Sequence, residues 1–145
     1  WNYGRDLITV SAPKTQAIIG RAGGRRIALP GVTAEIRTGF VSLIFTPLDN
    51  QPLEQSRHVL ITALARDKQT GARYSEDGTR LVSTGTAPLL LEPVEATLKF
   101  SGRPPTSIRP LDHYGVPKGK LHAAGSDGTF VIDGTHRAYY YEVKR

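Results

Sequence analysis

The chain has 145 residues, 39% hydrophobic and 22% charged, with neither cysteine nor methionine. That length holds one domain with a real core, the composition is that of a protein that folds without disulfides or metals, and no apolar run reaches the roughly 18 residues of a membrane-spanning helix. The formal net charge of +6 admits either a soluble basic surface or a polyanion partner, such as nucleic acid, acidic polysaccharide or cell wall.

Glycine and proline punctuate short runs of Val, Ile, Thr, Leu and Tyr, the pattern of strands between turns. Leu7–Ser11 reads as a strand. Gln16–Gly20 and Arg26–Leu29 flank "RAGG" and read as a hairpin. In "GVTAEIR" (Gly31–Arg37), Val32, Ala34 and Ile36 alternate with Thr33, Glu35 and Arg37, which predicts a half-buried strand. "FVSLIFTPL" (Phe40–Leu48) is more apolar and is placed centrally in a sheet. Arg57–Asp67 is its expected antiparallel neighbour. Val59, Leu60, Ala63 and Leu64 also fit a helical period, but the β-branched Val59, Ile61 and Thr62 favour strand. "KQTGARYSEDGTR" reads as a loop and a short hairpin, and "TAPLLLEPVEATLKF" supplies strand on both sides of Pro93. "SGRPPTS" is a stiff extended connector. Lys120–Ala124, Thr129–Asp133 and Ala138–Val143 read as three closing strands, with "SDGT" and "DGTH" as turns. The expected fold is all-β: a β-sandwich of about ten short, mostly antiparallel strands, immunoglobulin-like or jelly-roll-like, in a single domain over residues 1–145.

The motif "PLD" occurs twice, at Pro47–Asp49 and at Pro110–Asp112. Both read as strand ends where aspartate opens a turn. Catalytic patterns are absent: no G-x-S-x-G, P-loop or G-x-G-x-x-G occurs, and His58, His113, His122 and His136 lack zinc spacing. Glu92 and Glu95 stand three apart across a proline, which places them on opposite faces of a strand. Glu76 and Asp77 are too few for a calcium cage. No metal or cofactor is expected. The basic residues are scattered except in "GRAGGRR" (Gly20–Arg26), which has no aromatic neighbour in sequence, so no nucleic-acid partner is expected. In "AYYYEV", period 2 sends Tyr139 and Tyr141 to one face and Tyr140 to the other. Tyr74 and Tyr114 fall in predicted loops, and Trp1 and Tyr3 at the start of the chain.

The ordered blocks "WNYG", "ITVSAPKTQAIIG", "FVSLIFTPLDNQPLEQSRHVLITALARDKQTGARY", "LLLEPVEATLKF", "PLDHYGVPKGKL" and "AYYYEV" cover nearly the whole chain. Together they resemble the β-sandwich accessory domain that follows the catalytic barrel in bacterial glycoside hydrolases, notably large secreted enzymes of planctomycete type. The most telling blocks are Pro13–Ala17, Ser56–Arg66 and Thr70–Gly71. Similar domains often carry Asn before the Thr-Gly, where this chain has Gln69, and an aromatic soon after, which Tyr74 matches. The resemblance implies a secreted, non-catalytic domain, excised from a larger enzyme whose reacting groups lie in the barrel. The absence of an initiating methionine also marks the chain as a piece.

Such a domain either binds polysaccharide or oligosaccharide as a carbohydrate-binding module, the favoured reading, or packs structurally on the catalytic domain of its parent chain. No membrane partner is expected. For a glycan, loop aromatics supply stacking faces and neighbouring polar groups reach the hydroxyls. The candidate carbohydrate-binding residues are therefore Arg73, Tyr74, Glu76, Asp112, His113 and Tyr114.

Overall fold

The structure, a computed structural model, describes residues 2–4, 6–120, 125 and 127–145. Trp1, His122 and all but the first residue of the expected strand Lys120–Ala124 lie outside the described residues. Among the described residues the chain forms β1 (Asn2–Gly4), β2 (Leu7–Ala12), β3 (Thr15–Arg21), β4 (Arg25–Ala28), β5 (Val32–Ile36), β6 (Phe40–Pro47), β7 (His58–Leu64), β8 (Asp67–Thr70), β9 (Arg73–Tyr74), β10 (Leu81–Ser83), β11 (Thr86–Leu91), β12 (Ala96–Phe100), β13 (Ser107–Leu111), β14 (Phe130–Ile132) and β15 (Tyr140–Lys144). These 15 strands exceed the expected ten or so: β1 and β13 were not anticipated, and the hairpin and strand expected between 67 and 91 appear as four short strands.

Two antiparallel sheets face each other in a sandwich-like, all-β arrangement. One has seven strands in the order β1-β2-β3-β6-β7-β15-β13, with β6 at its centre as its apolar sequence suggests; the other has four, β14-β12-β5-β4. Alternation explains the layers. On β7, Val59, Ile61 and Ala63 are buried while His58, Leu60, Thr62 and Leu64 are half-exposed on the other face. A helix would not produce that period of two. From the smaller sheet, β5 contributes Val32, Ala34 and Ile36, and β12 contributes Ala96, Leu98 and Phe100. The two inner faces meet at Phe100, whose ring lies edge-on to Phe45 at 6.2 Å and stacked on Phe130 at 6.1 Å. Edge-on and offset contacts bring a ring's positive rim to its neighbour's negative face, beyond simple area burial.

Three expectations need correction. "RAGG" does not close a hairpin: β3 pairs with β2 and β6, whereas β4 pairs with β5, so the turn carries the chain from one sheet to the other. "DGTH" likewise links β14 to β15 across the sandwich. A turn residue sets a reversal of direction but not the identity of the partner strand. Finally, β15 starts at Tyr140. Tyr141 is fully buried, and Tyr139, one residue outside the ladder, turns back against Tyr140 with ring centroids 4.5 Å apart.

Both "PLD" aspartates build turns. Asp49 Oδ2 accepts from the Arg57 amide at 2.7 Å, and Asp112 Oδ1 accepts from the amides of Tyr114 and Val116, each at 2.9 Å. The same device recurs in three Asp-Gly-Thr turns. In each, the Oδ1 of Asp77, Asp127 or Asp133 accepts from the threonine amide two residues on, at 3.1 Å, and the intervening glycine has a positive φ of 70–79°, where a side chain would be strained. These acids are committed to backbone donors. Among the described residues, no group of three His, Cys, Asp or Glu side chains is placed to hold a metal.

Residues in the blocks that carry the resemblance also serve the fold. The buried Gln16 on β3 accepts at Oε1 from the amide of Gly31 at 2.9 Å, tying the sheets together at the β4–β5 turn. Ser56 Oγ accepts from the His58 amide and donates to the His58 carbonyl. Buried Arg145 donates to the carbonyls of Leu53, Ser56 and Ser101 and lies 5.2 Å over the Phe100 ring, closing the end of the sandwich where β15 finishes.

Candidate functional site

The opposite end of the sandwich gathers the exposed chemistry. Register defines it: Arg21, last on β3, opposes Phe40, first on β6; Leu64 opposes Ser42; Tyr140 opposes both Thr62 and Leu111. The ends of β3, β7 and β13 therefore meet the starts of β6 and β15. From this end a ribbon, residues 67–91, leaves after β7 and returns before β12.

At its base Arg66 and Glu92 form a two-pronged ion pair, Nε to Oε2 at 2.8 Å and Nη2 to Oε1 at 3.1 Å. The guanidinium hydrogen bond holds the Glu92 carboxyl below its ordinary range, and the carboxylate raises Arg66 in turn. Glu95 is exposed, and its backbone amide donates to Thr38 Oγ1 at 2.7 Å.

Of the six sequence-derived candidates, three come together. Asp112, His113 and Tyr114 occupy the tight turn after β13. The amide of Val116, then that of Tyr114, holds the Asp112 carboxyl below its ordinary range, so it is ionised and turned toward its own backbone. Tyr114 is 86% exposed. Its ring lies 5.5 Å from that of His113, which stacks on Tyr139 at 6.4 Å with planes 16° apart. Tyr139 Oη and His113 Nδ1 share a hydrogen bond of 3.3 Å. Tyr140 extends the series, giving four adjacent rings beside a cavity of about 400 Å³ whose walls include Pro93, Leu111, His113, Arg137, Tyr139 and Tyr141. Burial pushes the Tyr141 phenol up to about 12, and its hydroxyl donates to the Ala138 carbonyl at 3.0 Å, so it is a wall rather than a titrating group. The sequence pointed to Tyr114 and His113; it set Tyr139 on one face with Tyr141, with which it lines the cavity, but did not count it among the candidates.

The other three candidates, Arg73, Tyr74 and Glu76, lie on the outer part of the ribbon, all exposed. Tyr74 pairs with Leu81 on β10. None of the three lines the cavity beside His113, and among the described residues no hydrogen bond or ring contact joins Tyr74 to Tyr114.

The sequence announced a short hairpin and a strand here, but not that β8 and β11 form a ribbon apart from the two larger sheets. β8 and β11 pair only with each other, through Asp67↔Leu91, Lys68↔Leu90 and Gln69↔Leu89, and every residue of both strands is exposed. Leu89 and Leu91 point to one face and Leu90 to the other. Together with Tyr74, Leu81 and Val82 they make six exposed large apolar side chains, each between 45% and 64% exposed. A polar face on at least one side is the norm for a strand in water; here both faces carry apolar groups. The chain matches no family model, no curated protein and no solved structure.

Proposed function

We propose that the chain is a non-catalytic accessory domain of a secreted, multidomain glycoside hydrolase, packed against the catalytic domain of its parent chain through the 67–91 ribbon. One observation carries this reading: six large apolar side chains stand exposed on the 67–91 ribbon, whose strands, among the described residues, pair only within it. A two-stranded ribbon is marginal in water by itself, and contiguous exposed apolar surface marks a docking site. The resemblance supplies the partner, since the barrel precedes such domains. The finer fold goes with it: a sandwich of immunoglobulin-like or jelly-roll-like connectivity, supported by the two crossovers at "RAGG" and "DGTH". The test is association between this chain and the separately produced catalytic domain, read by sedimentation. Leu89→Ser with Leu91→Ser is expected to weaken it by roughly tenfold or more, as loss of a central apolar anchor does; no association of the unaltered pair sinks the reading.

A second reading has its own observation. The rings of His113, Tyr114, Tyr139 and Tyr140 beside the cavity suit a carbohydrate-binding module, with polysaccharide or oligosaccharide stacked on Tyr114 and its hydroxyls bonded by Asp112, His113 or Arg137. Arg73, Tyr74 and Glu76, on the ribbon, are the other candidates for glycan contact. Glycan-array retention that falls with Tyr114→Ala, by ~1–2 kcal/mol for a genuine stacking ring, supports it. Retention unchanged by that substitution removes the turn as the site.

A further inference from the structure

The densest basic run in the sequence, "GRAGGRR", has no aromatic residue beside it in the chain, but the fold gives it one. Arg21 ends β3 directly opposite Phe40, the first residue of β6, and the ring is 39% exposed. Arg21, Gly23, Arg25, Gly39, Phe40 and Arg66 line one open groove of about 520 Å³. Its floor is backbone: a Cβ on Gly23 would come within 2.9 Å of Gly39 Cα, so only glycine lets the β3–β4 turn lie this close to the start of β6. Above Gly39 the space is open.

The three guanidiniums of the groove are not equally engaged. Arg66 is held by both carboxylate oxygens of Glu92. Arg21 reaches Asp6 only at 3.8 Å, with both side chains more than three-quarters exposed. Arg25 has no ion-pair or side-chain hydrogen-bond partner among the described residues, whereas the neighbouring Arg26 is paired with Glu35 at 3.2 Å. Two planar, donor-rich cations thus border an exposed ring over a floor without side chains.

We propose that this groove binds an anionic saccharide, with its carboxylate or sulfate group held by Arg21 and Arg25 and an apolar sugar face lying on Phe40. The chemistry is specific. A guanidinium fork matches the two oxygens of a carboxylate or sulfate, which an ammonium does not. A strand-borne ring gives a fixed stacking face. A nucleic-acid strand needs a train of stacking rings along a basic track, and this groove offers a single ring. Arg66 joins this groove to the base of the ribbon, but Arg21, Arg25 and Phe40 belong neither to the ribbon nor to the His113 cavity, so their assignment holds whether or not either of those readings does.

The test is calorimetry and affinity electrophoresis of the 145-residue chain at low ionic strength. The probes are a sulfated polysaccharide, a uronic-acid polysaccharide, a neutral glucan and single-stranded DNA. Binding of a charged polysaccharide over the glucan is expected. It should weaken roughly tenfold or more in Arg21→Ala/Arg25→Ala, and several-fold in Phe40→Ala, which leaves the charge untouched. All three positions are exposed, and a thermal melt verifies that the variants fold. Lys14→Ala/Arg57→Ala, which removes the same charge at the other end of the sandwich, should bind nearly as the unaltered chain does. If the bound group is a carboxylate, binding fades below about pH 4 as the ligand protonates; if it is a sulfate, it persists. Equal loss in the distant pair, no effect of Phe40→Ala, preference for DNA, or no binding to either charged polysaccharide each overturns the proposal.

Discussion

The segments "HVLITAL" and "TAPLLL" are both apolar and both strands, yet the molecule treats them oppositely. The first, β7, lies between β6 and β15 and hides Val59, Ile61 and Ala63 beneath the second sheet. The second, β11, pairs among the described residues with β8 alone and leaves all six residues exposed. Pattern and β-propensity specify an extended backbone; burial comes from a second layer, which local sequence does not encode. The strand with leucine on both faces is the feature on which the proposed docking rests.

The contrast is sharpest in core truncation. Phe45→Ala opens a hole where β6 meets Phe100 and is expected to cost ~3–5 kcal/mol in urea unfolding. Gln16→Ala removes the acceptor of the buried Gly31 amide and should cost ~1–3 kcal/mol by leaving that donor unpaired. If either falls within the noise, the body is not the stable half that the comparison requires.

A pH series separates the turns from the core. Asp127 is held at about 2, first by the Lys99 ammonium and then by Thr129; Thr135 lowers Asp133 and the Val116 amide lowers Asp112. A carboxyl with a depressed folded pKa stabilises fully above its unfolded value near 4 and loses that contribution as pH falls through the folded one. The thermal midpoint should therefore decline from about pH 4 toward pH 2, and Asp127→Asn should flatten that decline. At the alkaline end the sign reverses. Tyr141, raised to about 12 by burial, stabilises below pH ~10 and loses its contribution as pH climbs toward 12.

The smallest effect is expected on the ribbon. Leu90→Ser in the isolated chain should change stability by no more than ~0.5 kcal/mol, because the side chain is already in water. A loss of ~2 kcal/mol instead would show that the leucines pack on the body and would erase the distinction between the two regions.

Much of the body was legible. Apolar patterning located β5, β6 and β7 with ends no more than three residues from the observed ones, and the aspartates of "PLD" and of the Asp-Gly-Thr turns act as turn chemistry requires. The crossovers were not legible, since "RAGG" between two strand patterns looks the same whether the strands share a sheet or face each other. The pattern Ala138–Val143 starts two residues before β15 does, so Tyr139 lies just ahead of the strand. Phe40 could not be connected to "GRAGGRR" before the register of β3 against β6 was known. The exposed leucines of β11 carry the same local signal as buried ones.

The account rests on the ribbon's being a docking surface, and hydrogen exchange reads it directly. Amides of residues 67–91 should exchange rapidly in the isolated chain, with few contacts to protect them, and at least roughly tenfold more slowly in the full parent protein, while β6 and β7 stay slow in both. A ribbon equally fast in both, or already as slow as β7 in the isolated chain, contradicts it.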